Sequence, residues 1–387
     1  MKNHKAIFTD VVCFSHLRWD FVFQRPQHLF SRFAKHFRVF YIEEVICTED
    51  EEHLQVKRSD ENVWVVTPRL KKAGEEEMSG RVKNLLTDLF LQFQIHDYIC
   101  WYYTPLALSI SDHLNPRLVV YDCMDELSAF KFASPLLKEK EKQLLQHADV
   151  VFTGGYSLFE AKKNLHKEVY PFPSSIDKEH FCKARTVIAD PEDQAHIALP
   201  RIGFSGVIDE RMDLDLVRDV AAAKQEWQFI FVGPVVKINP AHLPRLENIH
   251  YLGGKSYNDL PLYLSGWDVS IIPFAKNEST RFISPTKTPE YLAAGKPVVS
   301  TSIKDVVDPY GKNGLVFIAD TPEEFITATE KALTLKHDTK WLHAVDEFLA
   351  ENSWDKTWRY MVSIIADKLN NKSADITTTT KKEKAYV

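Results

Sequence analysis

The stretch FISPTKTPEYLAAGKPVVST, residues 282–301, reads as a polar turn, a short helix and then a β-branched strand. Ser284 suits an N-cap, Pro285 the first helical position and Gly295 the C′ position, after which Lys296–Thr301 carries the branched residues of a buried strand. Pro289 allows a second boundary, with Thr288 as cap and Pro289 first. A helix that runs directly into such a strand is part of a βαβ unit, and repeated units of this kind build parallel sheets covered by helices. Working outward, RIGFSG, WQFIFVG, NIHYLG, WDVSIIPF, KPVVST and LVFIA are strand candidates, with helices expected near 213–224, 256–264, 285–294 and 321–334. Between Ala6 and Val151 the runs AIFTDVVCF, RVFYIEE, VWVVTP, DYICWYY, RLVVYD and DVVFTG alternate with helix-length segments in the same way.

The expectation is an α/β protein of two Rossmann-like parallel-sheet domains, 1–182 and 201–353. The punctuated stretch 183–200, with ARTVIADPEDQAHIALP and no strong period, reads as the linker. Trp354, Trp358, Met361, Ile365 and Leu369 fall on one helical face behind Ser353 as N-cap, which predicts a closing helix over 354–370 that returns to the first domain. Residues 371–387 are threonine- and lysine-rich with too little apolar surface to offset ordering, so an unstructured tail is expected.

Composition narrows the function. With 387 residues, 44% apolar and 12% aromatic, the chain fills more than one core. Lys and Arg number 48 against 54 Asp and Glu, a net charge of −6, which argues against a nucleic-acid partner. Five cysteines, an odd total without a CxxC pair, argue against a zinc site or a disulfide framework. Apolar runs are too short to cross a bilayer, and Ala6-Ile7-Phe8 is interrupted at once by Thr9-Asp10, so a cytoplasmic protein is expected.

In open parallel sheets ligands bind at the carboxyl ends of the strands. The turn into the 285–294 helix is therefore the leading site: Thr286 and Lys287 open the helix, where amides and an ammonium suit a phosphate, and Glu290 lies one turn on. A carboxylate there can accept both vicinal hydroxyls of a ribose, and a solvated i, i+3 Lys–Glu pair fits the same spacing.

The run SPTKTPEYLAAGKPVVST resembles the nucleotide-sugar motif of retaining, family-4-like glycosyltransferases of GT-B architecture, in which two Rossmann-type domains face each other across a cleft. WDFVFQRPQHLFSRFAKHFRVFYIEE is similar to the opening of a bacterial subgroup that builds cell-surface polysaccharides, including teichuronic-acid-type transferases. VYDCMDELSAF, DVVFTGGYSLFEAKKNL, PFPSSID, RIGFSG, NIHYLGGKSYNDLPLYLSGWDVSIIPF and SWDKTW fit in order, so the resemblance covers about 6 to 369. It implies hexosyl transfer, with retention of configuration, from a nucleotide-diphosphate sugar, UDP- or GDP-linked, to a glycan or lipid-linked acceptor. No resident cofactor or metal is implied, and no DxD motif stands at a strand end. By the same resemblance Glu290 holds the ribose, Lys287, Thr286 and Ser284 lie near the diphosphate, Gly206 in Phe204-Ser205-Gly206-Val207 lets backbone approach the phosphates, and the loop Gly253–Tyr257 with Lys255 and Tyr257 positions the base.

The chain departs from the family pattern at three places. The glutamate usually found eight positions before Glu290 is Phe282, so its contact to the donor sugar is either lost or moved to Glu278, Thr280 or Arg281. The Arg–Lys pair after the second domain's first strand is reduced to Arg211, and the glycine-rich loop after the first strand is Ser15-His16-Leu17-Arg18-Trp19-Asp20. In the first domain, Asp122 ends RLVVYD with Asp125 three residues on, and either can act as base or orient an acceptor, although Asp125 equally suits a helix cap. His16 is a minor catalytic candidate; Arg25 and Trp19 are candidates for an acceptor or its phosphate. The helix expected over Gln24–Arg38 carries Arg25, Arg32, Lys35 and Arg38 and no acid, which suits either a core-facing helix or peripheral contact with the anionic inner face of a plasma membrane. Two other functions stay open: a non-catalytic nucleotide-binding or partner protein on the same fold, favoured by Phe282 and the missing cation, and a nucleotide-sugar epimerase.

Overall fold

The computed structural model describes residues 8–186 and 189–384, with 373–384 described as backbone. The chain folds into two α/β domains. In the first, β1 (Asp10–Ser15), β2 (Arg38–Glu43), β3 (Ile46–Cys47), β4 (His53–Arg58), β5 (Trp64–Leu70), β6 (Tyr98–Tyr102), β7 (Val119–Cys123), β8 (Val150–Thr153) and β9 (Val169–Pro171) form one sheet. Its order is β3-β5-β2-β1-β6-β7-β8-β9, parallel throughout, with β4 antiparallel on β5. The second domain has β10 (Arg201–Ser205), β11 (Gln228–Val232), β12 (Ile249–Gly253), β13 (Val269–Ile272), β14 (Val298–Ser300) and β15 (Val316–Ile318) in the parallel order β12-β11-β10-β13-β14-β15.

All twelve strands expected from β-branched runs are present. The three that were not expected are β3, β4 and β9. The first and last are only two and three residues long, and β4 (HLQVKR) lies at an edge with its charged residues in water, so it has no apolar run to betray it. Buried on both faces, the central strands read as continuous apolar runs: Val11 and Cys13 of β1 face one core, Val12 and Phe14 the other.

The closing helix starts at Trp354, with Ser353 Oγ accepting from the Lys356 amide at 3.2 Å. Trp354, Met361, Ile365 and Leu369 enter the first-domain core beside Leu29, Phe30, Phe33 and Trp101. The helical backbone then continues to Lys384, through residues expected to be unstructured, because extending an existing helix adds a hydrogen bond per residue with no new nucleus. Residues 385–387 lie outside the described residues.

Of the expected linker, residues 187 and 188 lie outside the described residues, and residues 189–200 are packed more closely than their composition suggested. A short helix, Glu192–Ala195, lies on the second domain, where Gln194 is fully buried and accepts from Trp267 Nε1 at 2.9 Å. Asp190 pairs with Arg201 at 2.7 Å and Asp193 with Lys255 at 2.6 Å. Polar anchors of this kind leave no hydrophobic period to read.

The helix expected over Gln24–Arg38 is shorter, Arg25–Phe33, and its four cations do not share a face. Arg38 begins β2 and pairs with the buried Asp10, while Arg32 pairs with Asp355 at 2.7 Å. Leu29, Phe30 and Phe33 are wholly buried, so the apolar side that a bilayer would receive belongs to the core. Among the described residues no helix is long and apolar enough to cross a membrane.

Trp354 stacks on His28 with ring centroids 4.7 Å apart and interplanar angle 11°. Trp354→Ala should therefore cost about 3–5 kcal/mol, typical of a large core truncation, and lower the midpoint of urea unfolding.

Candidate active site

The carboxyl ends of the two sheets face each other across a cleft of about 1160 Å³. One wall comes from the second domain. Here the helix Lys287–Ala293 opens two residues later than Pro285 would place it, with Thr286 as N-cap and Pro289 third. Proline loses nothing in that first turn, whose amides have no intrahelical acceptor, so the boundary falls between the two expected. Tyr291 ties the helix to the end of β10: its hydroxyl accepts from the Ser205 amide at 2.7 Å and donates to the Ser205 carbonyl at 3.2 Å.

This anchoring aims Lys287 at the β10 turn. Gly206 has φ +138°, and a Cβ there would lie 2.3 Å from Lys287 Cε and 2.5 Å from Nζ. The ammonium sits over the rings of Phe204 and Phe274, 5.3 and 5.6 Å from their centroids. Burial lowers its pKa to about 8, aided by the nearby Arg211. Glu290 lies beside it, and burial raises that carboxyl to about 7 against the pull of Lys287. Arg211 is held by Asp209, Nε to Oδ1 at 2.9 Å and Nη2 to Oδ2 at 2.8 Å. Ser284 also lines the cleft and its carbonyl accepts from Ser174 Oγ of the other wall at 2.7 Å. Tyr257 is stacked between Phe23 and His180, at 4.5 and 4.3 Å, which joins the two domains at one end of the cleft. Lys255 lines it too, but its ammonium is taken by Asp193.

The opposite wall includes Trp19, Arg25, Met124 and Asp125. Asp125 faces Arg211 and Lys287 across the gap, and burial raises its carboxyl to about 6 while Arg211 and Arg25 pull it back. Asp122, expected to reach the cleft, does not. It is fully buried beneath Arg25, which donates from Nη2 to Oδ1 at 2.8 Å and from Nε to Oδ2 at 3.1 Å, and from Nη1 to the Phe172 carbonyl at 2.7 Å. The strand-end position was legible, but the partner 97 residues away that turns the carboxylate inward was not.

His16 and Arg281 also lie off the cleft. The His16 ring is held near pKa 4 by burial, and its Nδ1 has no partner among the described residues. Arg281 is exposed and stands 3.7 Å from Glu278. Phe282 packs against the first-domain core, so the usual glutamate position serves here as an interdomain contact. Asp209, Phe23 and the β4 edge residues Lys57 and Arg58 line or support the site without having been singled out. Asp209, two residues before Arg211, was the one signal available.

Residues 200–334 match the family model described as glycosyl transferases group 1. A Bacillus subtilis (strain 168) protein provisionally named teichuronic acid biosynthesis glycosyltransferase TuaH is 25% identical over 279 residues, 68% of this chain and 70% of that one. The structure is similar to an E. coli trehalose-6-phosphate structure bound with UDP-2-fluoro glucose, with TM-score 0.67 at 12% identity over 92% of this chain and 99% of that one. It is also similar to the catalytic domain of Arabidopsis thaliana starch synthase IV bound to ADP and acarbose, with TM-score 0.65 at 12% identity over 94% and 99%. These neighbours share the GT-B fold.

Removing the Asp122 carboxylate leaves the buried Arg25 guanidinium uncompensated. Asp122→Ala should destabilise the chain by about 3–5 kcal/mol, whereas Asp125→Ala, which removes a carboxylate costly to bury, should leave the unfolding midpoint nearly unchanged.

Proposed function

From a chain that carries a group 1 glycosyltransferase domain on a GT-B fold, we propose an enzyme that transfers a hexose from a nucleotide-diphosphate sugar, UDP- or GDP-linked, to a glycan or lipid-linked acceptor in bacterial surface-polysaccharide assembly. One observation carries the reading. Lys287, Glu290 and the Gly206 turn share one wall of the cleft, and Asp125 faces them from the other.

The Glu290 carboxylate accepts from the two ribose hydroxyls. Lys287 and Arg211, with the backbone at Gly206 and the helix-opening residues Ser284 and Thr286, receive the diphosphate and stabilise the charge that grows on it as the sugar departs. Lys287 thus stands in for the second cation missing beside Arg211. These cations supply the charge without a metal ion. The base lies toward Gly254, Lys255 and Tyr257. Asp125 accepts from the acceptor hydroxyl and orients it for attack, with Arg25 and Trp19 behind it, and transfer proceeds with retention. Closure of the two walls excludes water that would otherwise hydrolyse the donor. The Bacillus relative's name points to teichuronic acid, hence to an acceptor at the cytoplasmic face of the envelope.

A thermal-shift panel of UDP, GDP, ADP, CDP and TDP should raise the melting temperature with one of them, and Glu290→Ala should weaken that affinity by more than about tenfold. Undiminished binding by the variant would remove Glu290 from the ribose.

Affinity for that nucleotide should also pass through a maximum with pH. Binding needs Glu290 ionised and Lys287 protonated. It weakens on the acid side as Glu290 takes up its proton near 7, and on the alkaline side as Lys287 loses its own near 8. Titration calorimetry between pH 5.5 and 9.5, about one and a half pH units beyond each group, should show both limbs in the wild type. Glu290→Gln should show a weaker acid limb than the wild type, keeping only the part that protonation of the nucleotide's own terminal phosphate contributes.

A further inference from the structure

Beside the cleft, two loops that face the reaction from opposite domains meet at a pair of glycines, Gly154–Gly155, between β8 and the helix Tyr156–Lys162. Neither position has room for a side chain. A Cβ on Gly154 would lie 2.4 Å from the Met124 carbonyl oxygen, at the base of the Asp125 loop in the same domain. A Cβ on Gly155 would lie 2.2 Å from Asp305 Oδ2 and 2.9 Å from Ser284 Cβ, both in the second domain.

Asp305 is 4% exposed, and its Oδ1 accepts from the Ser157 backbone amide at 3.0 Å, across 148 residues of sequence. A buried carboxylate is stabilised only by such donors, and this donor belongs to the other domain. The contact therefore exists only when the domains adopt this relative position. It sits one residue from the wall of the cleft, since Gly154 and Ser284 both line it.

We propose that Asp305 is a positioning residue for transfer: seated on the Gly155–Ser157 turn, it sets the distance between the Asp125 loop and the donor loop at Ser284. The inference rests on the transfer reading above. Glu290, Lys287 and Gly206 all belong to the second domain, so loss of the contact leaves ground-state nucleotide binding in place and misaligns donor and acceptor.

The test uses the full chain. Asp305→Ala and Gly155→Ala should each lower kcat by about tenfold or more, because the domains part and misplacing reacting groups by about 1 Å or more is costly, while the dissociation constant for the nucleotide that shifts the wild type stays within about twofold. Asp305→Asn keeps the accepting Oδ1 and should retain kcat within about threefold of wild type. Small-angle X-ray scattering should show a larger radius of gyration for Asp305→Ala and Gly155→Ala than for wild type and Asp305→Asn. Wild-type kcat in both disruptive variants, or a loss of nucleotide affinity equal to the loss of kcat, overturns the role of Asp305. A wild type that binds none of the five nucleotides overturns the donor reading instead. In that event an unchanged radius of gyration in Asp305→Ala overturns the interdomain contact as well.

Discussion

An ammonium group lodged in a hollow that a side chain would fill governs the second-domain half of this cleft. Lys287 reaches the β10 turn because Gly206 has no Cβ, and it is tolerated there because two aromatic faces and the Glu290 carboxylate surround it. Its position depends in turn on Tyr291, which bonds to both backbone groups of Ser205 and so fixes the helix against the strand. Burial pushes the Lys287 and Glu290 pKa values toward each other, so the pair is poised to exchange its mutual attraction for the charges of a ligand.

The same economy of charge runs through the facing wall. Arg25 is buried, and the free energy of burying it is offset by Asp122, which lies fully buried beneath it and away from the cleft. Asp209 does the same for Arg211. Where a cation at the cleft is compensated from behind, it can face an anionic substrate in a set direction without a mobile counter-charge in the way. Among the described residues Asp125 faces Arg211 and Arg25 without a hydrogen bond or ion pair to its carboxylate.

Several contacts join the domains around the cleft. Phe23 on Tyr257, Ser174 on Ser284, Phe282 on the first-domain core and Asp305 on Ser157 all join residues far apart in sequence. Phe282 shows how one substitution is absorbed. The position of the usual glutamate is given over here to packing against the first-domain core.

Twelve of the fifteen strands, the order of the domains and the closing helix could be read from local pattern, because a parallel sheet buried on both faces leaves continuous apolar runs and an amphipathic helix leaves a period of 3.6. Lys287, Glu290 and Gly206 were legible for a similar reason: each sits at a strand end or a helix start, and such ends are set by residues close in sequence. What Asp122 and Asp305 do there was decided by partners 97 and 148 residues away. Strand RLVVYD placed Asp122 at the right level of the sheet, but only the packing of the Arg25 helix against it turned the carboxylate from the cleft into the core. The sequence by itself thus determined the elements and the candidate groups, since these follow from local hydrophobic period and turn chemistry. Tertiary structure alone decided which charges are neutralised and which remain available, since burial and pairing are properties of neighbours that the chain brings together only on folding.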